Sequence, residues 1–97
     1  MAVYVISDVT MRDADAFEAY RTRAAPSIAA YGGRYLVRGG EVSVLEGERA
    51  PTTLVIVEFP DRATAQRWYA SAEYGEALKF RDEGLRRSLV LVDGVDA

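Results

Sequence analysis

The chain has 97 residues, a length that fits one folded domain and is too short for two. Hydrophobic residues make up 49% of it, which is typical of a globular protein and excludes a disordered one. The net charge of −3 argues against nucleic-acid binding, which needs a basic surface.

The chain contains neither cysteine nor histidine. A disulfide framework, a thiol nucleophile and a serine–histidine–aspartate triad are therefore excluded, as is a zinc or haem site that uses histidine. We expect no cofactor and no metal. Any proton transfer would have to use Asp, Glu, Tyr or the single lysine, Lys79.

The first segment, VYVISDV at 3–9, alternates between two faces and is predicted to be a strand. Val3, Val5 and Val9 point one way, while Tyr4 and Ile6 point the other. The apolar run is short and has no basic lead, so we expect no signal peptide. No run approaches the roughly 20 residues that span a membrane. We expect a cytoplasmic protein.

Residues 13–33 change to a helical period. Asp13 is the expected N-cap, and Gly32–Gly33 is expected to end the helix with a left-handed residue. Pro26 should kink the helix or start a second short turn. The predicted core stripe recurs at three- and four-residue steps: Phe17, Tyr20, Ala24, Ile28 and Tyr31.

Two further strands are predicted in the middle of the chain. RYLVRGGEVSVLEG at 34–47 reads as a strand interrupted at Gly39–Gly40, where we expect a β-bulge or the close approach of another backbone. TTLVIVEF at 52–59 is the third strand, which Pro60 stops.

A helix broken in two and a last strand complete the chain. Asp61 should cap the first part and Ser71 the second, which is predicted to run over 72–86. SLVLVDG at 88–94 is the fourth strand. The element order predicts an α+β, ferredoxin-like βαββαβ fold, a single domain over 1–97 with a four-stranded antiparallel sheet and helices on one face.

Both faces of this sheet are apolar, which predicts a homodimer. One helical layer covers only one face, and an exposed apolar face of that size is typical of an interface. A second copy packed sheet against sheet would cover it. On the third strand, Leu54 and Ile56 face one side, and Val55, Val57 and Phe59 face the other. On the last strand, Leu89 and Leu91 lie on the opposite side from Val90 and Val92.

Arg81 is the first candidate for a binding residue. In a helix over 72–86 it shares the inward face with Tyr74, Leu78 and Leu85. A buried guanidinium needs an anionic partner, either Glu46 or Glu58 of the chain or the carboxylate or enolate of a ligand. Both alternatives stay open.

Other side chains could line a cleft between sheet and helices. Arg38 could hold carbonyl groups at the bulge or project into the cavity, and Glu46 could act as a base. The candidate ligand-binding residues are Tyr20, Arg38, Trp68, Tyr69, Ser71, Tyr74 and Arg81, and the catalytic candidates are Glu46, Tyr74 and Arg81. For Trp68, packing in the core is the favoured explanation, because tryptophan is mostly buried in proteins.

The segments YGGRYLVRGGEVSVLEG, LVIVEFPDRATAQRWYASAEY and LVLVDG, together with Arg81, resemble DUF1330, a family of uncharacterised bacterial proteins. The resemblance covers nearly the whole chain and implies a dimeric α/β barrel. The wider superfamily includes cofactor-independent monooxygenases, haem-degrading enzymes, lactone isomerases and ligand-sensing modules. The absence of histidine argues against haem degradation.

Three functions are compatible with the sequence. The first is a homodimer that binds a small organic anion, such as an aromatic or keto acid, in the cleft. The second is a cofactor-independent monooxygenase or isomerase for an enolisable or phenolic substrate, with an arginine stabilising the enolate. The third is a purely structural dimer, in which the aromatic residues only pack.

Overall fold

A four-stranded antiparallel sheet with helices on one face forms the protein, so the predicted ferredoxin-like α+β fold is confirmed. The computed structural model describes residues 1–48 and 53–95. Thr52, the first residue of the predicted third strand, lies outside them. The elements are β1 Val3–Met11, α1 Ala14–Ala30, β2 Arg34–Arg38, β3 Thr53–Phe59, α2 Arg62–Tyr69, α3 Ala72–Leu78, α4 Arg81–Gly84 and β4 Leu85–Asp93.

The sheet has the strand order β2-β3-β1-β4, with β1 in the centre. Val5 of β1 lies opposite Val57 of β3 on one side and Leu91 of β4 on the other. Because side chains alternate along each strand, this register sets which of them meet the helices. The helix-facing set includes Val3, Val5, Ser7, Val9, Val57, Phe59, Leu85, Arg87 and Leu89.

The three predicted N-caps are confirmed, and they fix where the helices start. The carboxylate of Asp13 accepts the Ala16 N–H at 2.8 Å, and that of Asp61 accepts the Thr64 N–H at 2.7 Å. Ser71 Oγ accepts the Tyr74 N–H at 3.1 Å. Each cap satisfies a backbone donor that has no partner inside its helix.

Helix α1 also ends where its glycines predict. Gly32 has a φ of 75°, and the Gly33 N–H bonds to the Ile28 carbonyl at 2.9 Å, as in a Schellman motif. The helix continues through Pro26 as one span, so of the two expected alternatives, a kink or a second short turn, the second turn does not form. This single long helix carries Tyr20.

Strand β2 is shorter than predicted. It ends at Arg38, and residues 39–48 form no strand. Gly39 adopts a φ of 73° and gives its N–H to the Leu54 carbonyl at 3.0 Å, which turns the chain away from the sheet. The predicted bulge at Gly39–Gly40 is wrong, because the register shift lies between Tyr35 and Val37.

The predicted helix over 72–86 is also wrong. Helix α3 ends at Leu78, a four-residue turn of helix follows, and β4 starts at Leu85. Gly84 packs directly on the start of α1: a Cβ there would lie 2.8 Å from the Ala16 carbonyl carbon and the Phe17 nitrogen. This close contact positions the chain so that Leu85 enters the sheet. Residues 85 and 86, which were predicted to be helical, therefore alternate between the two faces of a strand.

The described residues of one chain leave the outer face of the sheet uncovered. The Cα atoms span 33 × 32 × 16 Å, a slab one sheet and one helical layer thick. Val90 is 54% exposed and Val92 44%, on the face they share with Tyr4, Ile6 and Ile56. Within residues 1–48 and 53–95, no helix has both the length and the apolar character needed to cross a membrane.

Candidate functional site

A cavity of about 450 Å³ lies between the sheet and the helical layer. Its wall is mostly aliphatic and aromatic, and the polar groups come from three arginines, two tyrosines, a serine and a threonine. No aspartate or glutamate of the described residues lines it. The lining residues are Val5, Ser7, Val9, Phe17, Tyr20, Arg21, Ala24, Tyr35, Arg38, Gly39, Thr53, Val55, Val57, Trp68, Leu85, Arg87 and Leu89.

Arg87 holds two phenols together at the β4 side of this cavity. Its Nη1 donates to the Tyr20 hydroxyl at 2.6 Å and its Nη2 to the Tyr74 hydroxyl at 2.8 Å. The two phenol oxygens lie 2.6 Å apart. Tyr20 comes from α1, Tyr74 from α3 and Arg87 from β4, so the cluster ties three elements together.

The protons of this cluster can be assigned by counting donors. A guanidinium only donates, so both phenol oxygens accept from Arg87, and one phenol donates to the other. Tyr74 is 0% exposed, and within the described part of the chain its oxygen bonds only to Tyr20 and Arg87. Tyr74 must therefore donate to Tyr20, because its proton would otherwise be buried without an acceptor. The Tyr20 proton is then free to point into the cavity, which Tyr20 lines.

The charge states of the cluster follow from its burial. Burial, together with the nearby Tyr20, raises the pKa of Tyr74 far above its ordinary value, so this phenol stays protonated. Burial alone would lower the pKa of Arg87, but the phenols of Tyr20 and Tyr74 raise it overall. The cavity therefore contains a permanent positive charge, and none of the ion pairs between described residues neutralises Arg87.

The opposite rim carries a second, exposed arginine. The Arg38 guanidinium lies 4.3 Å from the centroid of the Tyr35 ring, in a cation–π contact. Burial raises the pKa of Tyr35, with Arg38 acting in the opposite direction, so this phenol is neutral at physiological pH. Of the alternatives for Arg38, the structure places it at the cavity.

Trp68 is both a packing residue and part of the cavity wall. It is buried, its ring lies 4.1 Å from that of Tyr74 and 5.2 Å from that of Phe59, and its Nε1–H donates to Ser27 Oγ at 3.0 Å. Ser27 in turn donates to the Ala24 carbonyl at 2.7 Å. The indole is therefore held by two ring contacts and by a hydrogen bond at its edge.

Four other candidates lie away from the cavity. Arg81, predicted to face inward, is 39% exposed and pairs with Asp82 at 3.2 Å rather than with Glu46 or Glu58. Glu46 is exposed in the segment after β2, and Glu58 pairs with Arg34 at 2.8 Å. Ser71 caps α3 and donates to the Trp68 carbonyl at 2.7 Å.

Tyr69 is the fourth of these candidates. It is 45% exposed and lies outside the main cavity, in a second pocket of about 440 Å³ beside β4 that Arg81 and Arg87 also line. Its ring lies 5.8 Å from that of Tyr74, so its structural contribution is to cover the buried aromatic cluster from outside.

The sequence reading missed Arg87, which takes the position that had been assigned to Arg81. The available signal was the alternation Leu85, Arg87, Leu89 and Leu91, which extends the last strand backward by three residues. Reading residues 72–86 as one helix concealed that alternation. Ser7 was missed as well, although it lies on the apolar face of β1.

Residues 2–95 match DUF1330, which is described as a domain of unknown function. The chain belongs to this family. The family assignment agrees with the sequence resemblance and carries no activity with it. No curated protein sequence matches the chain.

Several solved structures share the fold of this DUF1330 chain. RPA0582 of Rhodopseudomonas palustris, a protein of unknown function, is 20% identical with a TM-score of 0.80, covering 99% of this chain and 84% of that one. SnoaB of Streptomyces nogalater, a cofactor-independent oxygenase, is 15% identical with a TM-score of 0.67, covering 99% and 95%. A dimeric ferredoxin-like protein of unknown function from Bacteroides fragilis is 15% identical with a TM-score of 0.62, covering 96% of each chain.

Proposed function

We propose that the protein is a homodimer in which each subunit binds a small organic anion in the cavity between sheet and helices. The observation that carries the proposal is Arg87, a partly buried guanidinium whose bonds within the described residues go only to two neutral phenols. A buried charge without a counter-ion is unfavourable, and an anionic ligand would relieve it.

The rest of the cavity favours the same kind of ligand. Arg21 and Arg38 add positive charge at the rim, and no described acidic side chain lines the cavity, although Arg21 also pairs on the surface with Glu18 at 3.6 Å. Aromatic and aliphatic walls with a few convergent polar groups are typical of small-molecule sites. The apolar part of the wall would contact the body of an aromatic or conjugated carboxylic acid, and the arginines would bind its carboxylate.

The dimer is part of this proposal because of the outer face of the sheet. Tyr4, Ile6, Ile56, Val90 and Val92 form an apolar surface that no helix of the described chain covers. A second copy offers the same surface in two-fold symmetry. The Bacteroides fragilis protein of this fold, which is described as dimeric, supports this arrangement.

A cofactor-independent oxygenase or isomerase is the second candidate function. The Tyr20 hydroxyl and the Arg87 guanidinium together form a cluster of donors that could stabilise an enolate or phenolate. The oxygenase SnoaB, which has this fold, supports the idea. The described cavity wall offers no carboxylate base, so the substrate would have to ionise readily by itself. Oxygen uptake with electron-rich phenols or enols tests this candidate, and absence of uptake with substrates that bind would overturn it.

The anion site is tested by comparing two arginine variants. Benzoate and hexanoate are titrated into wild type, Arg87→Met and Arg81→Met, with the melting temperature and the fluorescence of Trp68 as readouts. We expect Arg87→Met to fold, because an apolar side chain of similar length can replace a buried charge without destabilising the protein. Its affinity for the acids should fall about 100-fold, because the positive charge that contacts the carboxylate is lost. Arg81→Met, outside the cavity, should bind like wild type.

Two results would contradict the proposal. Equal binding by wild type and Arg87→Met would remove Arg87 from the site. A large loss of stability in Arg87→Met, with no acid bound by wild type, would favour the purely structural role of the cluster.

A further inference from the structure

The hydroxyl of Ser7 is an isolated polar group in an apolar part of the cavity wall. Ser7 is 4% exposed, and its Oγ has no hydrogen-bond partner among the residues that the structure describes. Its cross-strand neighbours are Val55 and Leu89, and Val5 and Val9 flank it along β1. A buried hydroxyl without a partner destabilises a fold, whereas an alanine would fit here at no such cost.

The position of Ser7 relative to Arg87 is set by the register of β1 and β4. Ser7 lies opposite Leu89, and Arg87 lies opposite Val9, so the two residues are diagonal neighbours on the helix-facing side. Diagonal neighbours in a sheet are about 7–8 Å apart, and their Cβ atoms somewhat less. The cavity therefore has a cationic end, where Arg87 and Tyr20 meet, and the Ser7 hydroxyl lies on the neighbouring, aliphatic part of the wall among Val5, Val9, Val55 and Leu89.

The hydroxyl of Ser7 can still donate and accept hydrogen bonds, and no described charged side chain bonds to it. Arg87 already contacts the two phenols, and Arg38 lies at the rim against Tyr35. A hydroxyl both donates and accepts, so it suits a neutral oxygen such as a hydroxyl or a carbonyl. A volume of about 450 Å³ is typical of pockets that hold a small organic ligand.

We propose that Ser7 determines specificity for a small carboxylic acid with a second oxygen remote from its carboxylate, that is, a hydroxy or keto acid. The carboxylate contacts Arg87 and Tyr20, the apolar body lies along the valines and leucines, and the second oxygen bonds to Ser7. This proposal rests on the anion site proposed above. It adds the requirement for the second oxygen and the residue that reads it.

The test uses two pairs of acids that differ only in that oxygen. Benzoate is compared with 4-hydroxybenzoate, and hexanoate with 6-hydroxyhexanoate, by titration of the fluorescence of Trp68, the single tryptophan of the chain. We expect wild type to prefer the hydroxylated acid of at least one pair by about fivefold, as for one neutral hydrogen bond. Ser7→Ala should bind both acids of that pair equally, with the affinity that wild type has for the unsubstituted acid.

Ser88→Ala is the matched control. Ser88 lies on β4, opposite Asp8 on the outer face of the sheet, and it is exposed. This variant should keep the preference of wild type. Melting temperatures of both variants confirm that they are folded during the titrations.

The outcomes separate the two proposals. If wild type binds the acids of each pair equally, or if the preference survives in Ser7→Ala, the role of Ser7 is overturned while the anion site stands. If none of the four acids binds to wild type, the anion site itself fails and the role of Ser7 fails with it.

Discussion

The hydroxyl oxygens of Tyr20 and Tyr74 lie 2.6 Å apart where helices α1 and α3 meet over strand β4. Arg87 contacts both of them, and together they close one end of the cavity. The two phenols are unequal, because Tyr20 lines the cavity whereas Tyr74 is completely buried. This difference leads to opposite expectations for the two residues.

Removing the Tyr20 hydroxyl should weaken ligand binding, whereas removing the Tyr74 hydroxyl should lower the stability of the fold. Tyr20→Phe should weaken the binding of benzoate about tenfold, because the hydroxyl that donates to the carboxylate is lost. In the free protein, a water molecule in the cavity can take the place of the missing hydroxyl, so the loss of stability should be small. Tyr74→Phe should lower the free energy of unfolding by about 1–3 kcal/mol, because a buried N–H of Arg87 loses its acceptor. Fluorescence titration and urea unfolding measure the two effects. The reverse pattern would contradict the proton assignment.

Stability should fall at alkaline pH because of Tyr74. Burial raises the pKa of this phenol far above the ordinary 10.0 of a tyrosine. The unfolded chain therefore releases this proton first, so the stabilisation is complete below about pH 10 and decreases as the pH rises further, by up to about 1.4 kcal/mol per pH unit. Urea unfolding at successive pH values measures the slope. Tyr74→Phe should show a smaller slope in this range, and an unchanged slope would contradict the argument.

Two glycines should respond in opposite ways to the same substitution. Gly84→Ala should lower the free energy of unfolding by about 1–3 kcal/mol, because its Cβ would meet the α1 backbone at 2.8 Å. Gly75→Ala, inside α3, meets nothing within 4 Å and should stabilise the protein by about 0.5–1 kcal/mol through helix propensity. Thermal and urea unfolding of the pair measure this. Equal effects would show that the contact at Gly84 does not determine the start of β4.

A charge on the outer face of the sheet should dissociate the proposed dimer. Val90 is 54% exposed within one chain, so Val90→Asp should leave the subunit folded while placing a carboxylate in the apolar interface. We expect the mass in sedimentation to fall from two chains to one at micromolar concentration. Ala63→Asp, on the exposed side of α2, is the control and should keep the mass of wild type. A monomeric wild type would contradict the dimer directly.

The fold could be predicted because its signals are local. Alternation in β1, β3 and β4 identified both faces of the sheet, and Asp13, Asp61 and Ser71 each start a helix by a bond that spans three residues. Caps of this kind depend little on the rest of the molecule. The antiparallel sheet then follows from the order of the elements.

The candidate site was predictable only in part, because it depends on where one element changes into the next. Tyr20, Tyr74, Trp68 and Arg38 were recognised as aromatic or charged residues near the expected cleft. Two local patterns compete for Arg81 and Arg87, a helical period and the alternation that begins at Leu85, and the contact of Gly84 with α1, which the sequence does not show, accompanies the second. The segment 39–48 likewise alternates like a strand but leaves the sheet at Gly39.

The register shift in β2 determines on which side of the sheet Arg38 lies. Tyr35 pairs with Val57 and Arg38 with Val55, both on the helix-facing side, although their separation of three residues would place them on opposite sides of a regular strand. The extra residue Leu36 is what keeps Arg38 opposite Val55 despite the odd separation from Tyr35. Deleting Leu36 would leave Tyr35 and Arg38 two residues apart in a regular strand, still on the helix-facing side, so a relative with a one-residue gap here would keep the same cation at the rim of its cavity.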